Sequence, residues 1–87
     1  MFEYGRMITD EDLAILDFEE THPHHTGLKA ERIRQTFGLP SARYYARLRR
    51  LTRERDAVAR YPQLCARVQR STERGQAERA QLTRLAA

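Results

Sequence analysis

Ile33-Arg34-Gln35-Thr36-Phe37-Gly38-Leu39-Pro40-Ser41-Ala42-Arg43-Tyr44-Tyr45-Ala46-Arg47-Leu48 decides how the rest of the chain is read. Ile33 and Phe37 share one face of a helix, and glycine directly after Phe37 is the residue type that closes a helix in the left-handed conformation. Pro40 bars simple continuation. Ser41 then reads as the N-cap of a second helix from Ala42 to about Arg53, with Tyr44, Leu48 and Leu51 at i, i+4 and i+7. A helix, a glycine turn and an arginine-studded helix outline a helix-turn-helix, which lays its second helix in the DNA major groove.

Ile33 and Phe37 lie five and one residues before Gly38, and Tyr44 and Leu48 six and ten after it, where such motifs lock their two helices together. Arg34 departs, standing four residues before the glycine where alanine usually lets the helices approach. Ser41, Ala42, Arg43, Tyr45 and Ala46 fall on the outward N-terminal part of the second helix, where side chains reach base edges. Arg43 is the expected bidentate partner of guanine. Arg47, Arg49, Arg50 and Arg53, with Lys29 and Arg32 on the preceding helix, are the expected phosphate contacts. Tyr45 reads equally well as a half-buried core aromatic, whereas Tyr44 belongs to the core. Groove reading requires Arg43 and Arg47 to project together from the second helix, clear of the acidic N-terminal stretch.

Outward from this motif, residues 1–8 read as a flexible N-terminus, 9–70 as the helical domain and 71–87 as a helical or frayed tail. Thr9 is an N-cap with Asp12 three residues on, and Ile8 and Leu13 have hydrophobic-staple spacing. A first helix is predicted from Asp10 to Glu20, with Leu13, Leu16 and Ile15 or Phe18 inward. Thr21 to Gly27 is a loop, and Leu28 to Phe37 a second helix whose apolar positions are Leu28, Ile33 and Phe37. Ala57-Val58 predicts a short helical turn. Pro62 opens a further helix that buries Leu64, Cys65 and Val68. From Gln76 on, only Leu82 and Leu85 anchor the pattern, which predicts a frayed or partner-dependent helix. The class is all-α: a three-helix helix-turn-helix core with one or two additional C-terminal helices.

At 87 residues one domain is expected, and its net charge of +4 conceals a division. Residues 1–20 hold seven acids against Arg6, whereas 21–87 hold fifteen bases against five acids. Lys29 is the only lysine, and arginine's planar fork suits phosphates and guanine edges. The competing reading is a plain helical bundle whose arginines solvate it. No run of about 18 uncharged apolar residues predicts a membrane span, and the acidic start argues against a signal peptide. A lone cysteine, Cys65, fits a reducing cytosol, so a cytoplasmic, nucleoid-associated protein is expected.

His22, His24 and His25 with Cys65 lack the paired spacing of a structural zinc site, so neither metal nor cofactor is expected. Asp10-Glu11-Asp12 is accounted for by helix-start electrostatics and Glu19-Glu20 by a solvated face. Four scattered glycines build no phosphate loop, and no enzymatic function is expected.

Gly27-Leu28-Lys29, Ile33, Phe37-Gly38-Leu39, Arg43-Tyr44-Tyr45, Leu48 and Leu51 resemble a family of short actinobacterial proteins, host or phage, catalogued as a domain of unknown function with a predicted helix-turn-helix. The likeness covers roughly residues 10–70 and includes Asp12, Ile15-Leu16, Phe18-Glu19, Ala57, Pro62, Leu64 and Arg67-Val68. It implies a DNA-binding or transcription-associated role and supplies no catalytic residue. His22-Pro23-His24-His25 departs from the family pattern, so no role carries over to that loop.

The resulting expectation is a small protein that binds double-stranded DNA as a transcriptional regulator or architectural factor. One recognition helix reads only a few base pairs, so a homodimer through residues 62–87 is expected with it. The alternative is a protein-interaction module whose acidic first helix binds a protein partner such as transcription machinery. RNA binding is a third reading, without a visible stacking platform.

Overall fold

The computed structural model of the protein describes residues 8–86; most of the N-terminal segment expected to be flexible lies outside them. Those residues form five helices: α1 (Asp10–Thr21), α2 (Gly27–Phe37), α3 (Ser41–Leu51), α4 (Arg55–Arg60) and α5 (Pro62–Ala86).

α1 begins with a complete capping box. The Thr9 hydroxyl accepts from the Asp12 N–H at 3.0 Å, and the Asp12 carboxylate accepts from the Thr9 N–H at 3.1 Å. Ile15 and Leu16 point fully inward, while Leu13 and Phe18 are half-buried. α2 starts one residue earlier than predicted, capped by the Thr26 hydroxyl, which accepts from the Lys29 N–H at 3.1 Å. Gly38 closes it at φ 68°, and its N–H donates to the Arg34 carbonyl at 2.8 Å.

The inward face of α2 differs from the expected one. Leu28 is 66% exposed, and Lys29 takes the buried place. The reason is helical phase: Lys29, Ile33 and Phe37 repeat at i+4, whereas Leu28 lies five residues from Ile33 and points well away.

α3 also begins differently. Pro40 is the extended cap residue, its carbonyl accepts from the Tyr44 N–H at 3.1 Å, and Ser41 is already helical. The serine therefore makes no capping bond. The helix ends at Leu51, two residues short of Arg53, where buried Thr52 donates its hydroxyl to the Arg49 carbonyl at 2.8 Å. Gln69 of α5 donates to the Thr52 carbonyl at 3.1 Å, which ties this turn to the last helix.

α4 buries Ala57, and Pro62 stands in the first position of α5, where a missing N–H costs nothing. α5 then runs through Gly75 to Ala86, so the expected tail takes its helical alternative and continues the helix opened by Pro62. A helical glycine costs only about 1 kcal/mol relative to alanine, and the Ala, Glu, Arg, Gln and Leu residues around it are good helix formers. Leu82 and Leu85 remain 65% and 74% exposed.

The core draws on every helix: Ile15 and Leu16, Ile33, Tyr44 with Leu48 and Leu51, Ala57, and Leu64 with Cys65. α3 supplies its centre and packs on α1, α2 and α5. Burial, and behind it the charge of Glu20, pushes the Cys65 thiol up, away from the thiolate a nucleophile needs.

Candidate nucleic-acid interface

Because Tyr44, Leu48 and Leu51 fasten α3 to the core, Ala42, Arg43, Ala46, Arg49 and Arg50 are exposed along its other side, and Arg53 follows in the turn beyond. Arg43 and Arg50 are two turns apart, about 10 Å along the axis, and Ala46 lies between them without a bulky side chain. No acid interrupts α3. Arg32 is exposed on α2, and Ser41 is half-buried.

Arg47 departs from the expected set. Its Nη2 lies 2.8 Å from Asp12 Oδ1 and 3.0 Å from Glu11 Oε1, and its Nε donates to Asp12 at 3.2 Å. Three residues after Tyr44 and four before Leu51, it stands on the flank of the buried stripe and faces α1. Arg43 and Arg47 therefore do not project together: the condition required for groove reading fails at Arg47, which turns to the acidic first helix and leaves the expected phosphate-contacting set. Burial alone raises the Asp12 carboxyl, but the Thr9 backbone N–H and the Arg47 guanidinium outweigh it and hold the group below its ordinary range. The two carboxylates likewise raise Arg47 against its partial burial.

Lys29 is a second correction. It is 3% exposed, and its Nζ lies 2.9 Å from Oε1 of Glu19, itself 5% exposed. Tyr44 donates its phenol to the same oxygen at 2.8 Å. Burial, with the hydrogen bond to Glu19 and its charge behind it, pushes the Tyr44 phenol far above its ordinary value, so it remains a donor. One carboxylate oxygen thus joins α1, α2 and α3. Lys29 is a core ion held in this network, not a contact for DNA phosphates.

Tyr45 is the third. Its hydroxyl lies 2.9 Å from His25 Nδ1, and the Lys29 ammonium sits 5.2 Å over its ring. The half-buried alternative describes it, and it leaves the base-reading set. The histidine loop is pinned at both ends: His22 stacks on Phe18 with centroids 4.2 Å apart, and His25 meets Tyr45 edge to face at 5.4 Å. Among the described residues no three His, Cys, Asp or Glu side chains group so as to hold a metal ion.

The Asp12–Arg47 contact has a measurable consequence. Asp12→Asn is expected to cost about 1 kcal/mol at pH 7, from the weakened cap and the lost partly exposed ion pair. Because the native carboxyl sits below its unfolded value, the parent's advantage is fully present above pH of about 4 and disappears as pH falls through the native value. Urea unfolding of both proteins at pH 7 and in stronger acid reads this difference; an advantage undiminished in acid removes the assignment.

Sequence reasoning also missed a second basic surface. Arg67, Arg74 and Arg79 of α5 line a cleft that faces Arg49 across from α3. Positions 67, 71, 75 and 79 repeat at i+4, so this shared face was readable from spacing.

The fold and its exposed cations define a small all-α protein of five helices whose third helix is basic on its outer side. The family model described as "Protein of unknown function (DUF3263)" matches residues 7–80, and the chain belongs to that family. The matched span contains every core residue and crosses the position at which a separate tail was expected to begin. Neither curated proteins nor solved structures yield a match. Among the described residues no helix is long and apolar enough to cross a membrane.

Proposed function

We propose that this protein binds duplex DNA with α3 as the recognition helix of a helix-turn-helix formed by α1 to α3, acting as a regulator or architectural factor at the nucleoid. The observation that carries this reading is the outer side of α3: Arg43, Arg49 and Arg50 exposed on a helix fastened by its opposite face, with exposed Arg53 just beyond. These residues carry it without Arg47, whose joint projection with Arg43 the sequence reading required and which pairs with α1 instead. The three-residue connection Gly38-Leu39-Pro40 between α2 and α3 has the length and the glycine such motifs use. Arg43, with Ala42, Ala46 and Ser41 around it, reads base edges, whereas Arg49, Arg50, Arg53 and Arg32 neutralise phosphates. The preference for arginine over lysine fits a GC-rich actinobacterial or phage genome.

A single helix reads few base pairs, so a two-part site read by a dimer belongs to the same proposal. Leu64 and Cys65 at the start of α5 are held in the chain's own core, which leaves Leu82 and Leu85 as the apolar surface for a second copy.

Fluorescence anisotropy with labelled duplexes at increasing salt tests the proposal. Binding is expected to weaken steeply as salt rises. Arg43→Ala relaxes preference at one base pair by about 1–3 kcal/mol, and Arg49→Ala weakens all sequences alike. Equal losses from Arg43→Ala on specific and random duplex remove the base-reading role. Absence of any duplex affinity at about 150 mM salt overturns the function.

The protein-interaction reading has less to stand on. Of the acids on α1, Glu19 is buried, Asp12 is paired with Arg47, and Asp17 accepts a hydrogen bond from the Tyr61 hydroxyl. A protein captured through Asp10 and Glu20, together with no nucleic-acid affinity, is the result that favours it.

A further inference from the structure

Between α3 and α5, bounded at one end by Pro23 and His25, lies a cleft of about 720 Å³. A space of that size accommodates a small organic ligand. Its rim carries Arg49 from α3 and Arg67, Arg74 and Arg79 from α5. Arg79 folds back beside Gly75, its Nη1 3.5 Å from where a Cβ would stand, an ordinary contact distance.

The one acid among the described lining residues is Glu19. Its Oε1 already accepts from Lys29 and Tyr44, and its Oε2 pairs loosely with Arg67. This one carboxylate is shared between the ammonium beneath the cleft and a single guanidinium, and does not balance Arg49, Arg74 and Arg79 as well. Arg67 Nη2 lies 4.0 Å from Glu19 Oε2, beyond hydrogen-bond distance, and is buried without a hydrogen-bond partner. A buried donor left unmade is unfavourable, and an acceptor entering the cleft relieves it. Walls of one sign also focus the field and concentrate anions.

Charge does not make up the whole surface. Leu48 and Val68 also line the cleft, and the Tyr45 ring with the His25 imidazole lies at its loop end. Cations at the rim with an aromatic and apolar end suit an anion that has a flat, weakly polar half.

We propose that this cleft binds a nucleoside di- or triphosphate, its phosphates on Arg67, Arg74 and Arg79 and its base at the Tyr45–His25 end. The site is separate from the outward face of α3, with Arg49 alone belonging to both.

Isothermal titration of the full chain with ATP, GTP, inorganic tripolyphosphate and adenosine tests this. One nucleoside triphosphate per chain is expected to bind, tripolyphosphate about tenfold or more weakly, since the base contributes by stacking, and adenosine more weakly still. The exposed pair Arg74→Gln/Arg79→Gln retains the helical circular-dichroism spectrum and weakens nucleotide binding by about tenfold or more, as does Arg67→Gln. Tripolyphosphate binding as tightly as the nucleotides overturns the proposal, as does a double variant that binds like the parent. So does a double variant that loses duplex DNA as strongly as nucleotide, because the α5 arginines then belong to the duplex surface. Failure of groove reading is recorded separately, by Arg43→Ala on duplex.

Discussion

Glu19→Ala is expected to destabilise the fold by about 3–5 kcal/mol, the usual consequence of removing one partner from a buried ion pair. Its Oε1 accepts from the Lys29 ammonium at 2.9 Å and from the Tyr44 phenol at 2.8 Å, and all three side chains are buried. Alanine leaves an unpaired ammonium and an unpaired hydroxyl inside the protein. Small domains have roughly 5–15 kcal/mol in total, so most of the margin disappears. The partner substitution separates charge from packing. Lys29→Met/Glu19→Gln removes both charges while the new amide oxygen still accepts from Tyr44, and it is expected to regain about 2 kcal/mol or more over Glu19→Ala. Urea denaturation at pH 7 measures both variants. A loss below about 1 kcal/mol for Glu19→Ala shows that the three helices are not held by this oxygen.

What is legible in the sequence follows the range of the interaction. Thr9 with Asp12, Gly38 after Phe37, and Pro62 at the head of α5 act within a few residues, and each stands where its spacing predicts. Tyr44, Leu48 and Leu51 are legible because one helix phase places all three inward. Lys29 is not, since a reading by hydropathy prefers Leu28 and cannot see that a carboxylate ten residues earlier meets the ammonium. Arg47 misleads in the opposite sense: its charge suggests solvent, whereas its phase beside Tyr44 and Leu51 sets it against α1. The scarcity of apolar anchors from Gln76 on suggests a frayed or partner-dependent end; the segment is helical, built of strong helix formers, and Leu82 and Leu85 stay exposed on it. The cleft lies furthest from the sequence. Its α5 face can be counted out at i+4, but the approach of Arg49 and Tyr45 depends on how α3 and α5 pack.

Replacing Arg43, Arg49, Arg50 and Arg53 together by alanine is expected to lower duplex affinity on the order of a thousandfold at about 0.15 M salt. Each phosphate neutralised contributes about 0.9 to the slope of log K against log salt, so loss of the three phosphate contacts of Arg49, Arg50 and Arg53 flattens that slope by about 3, while loss of Arg43 removes a base contact. All four side chains are exposed and alanine is a strong helix former, so the thermal midpoint is expected to stay close to that of the parent. Arg47→Ala is the matched control. It removes the same charge from the same helix, but from a guanidinium already held by Asp12 and Glu11. Duplex affinity should then change little while stability falls by up to about 1 kcal/mol. If Arg47→Ala flattens the salt slope as much as Arg49→Ala does, the α1 contact opens on binding and the division of α3 into an outer and an inner set of arginines is wrong. If the fourfold variant keeps the parent's slope, the outer face of α3 does not meet phosphate at all.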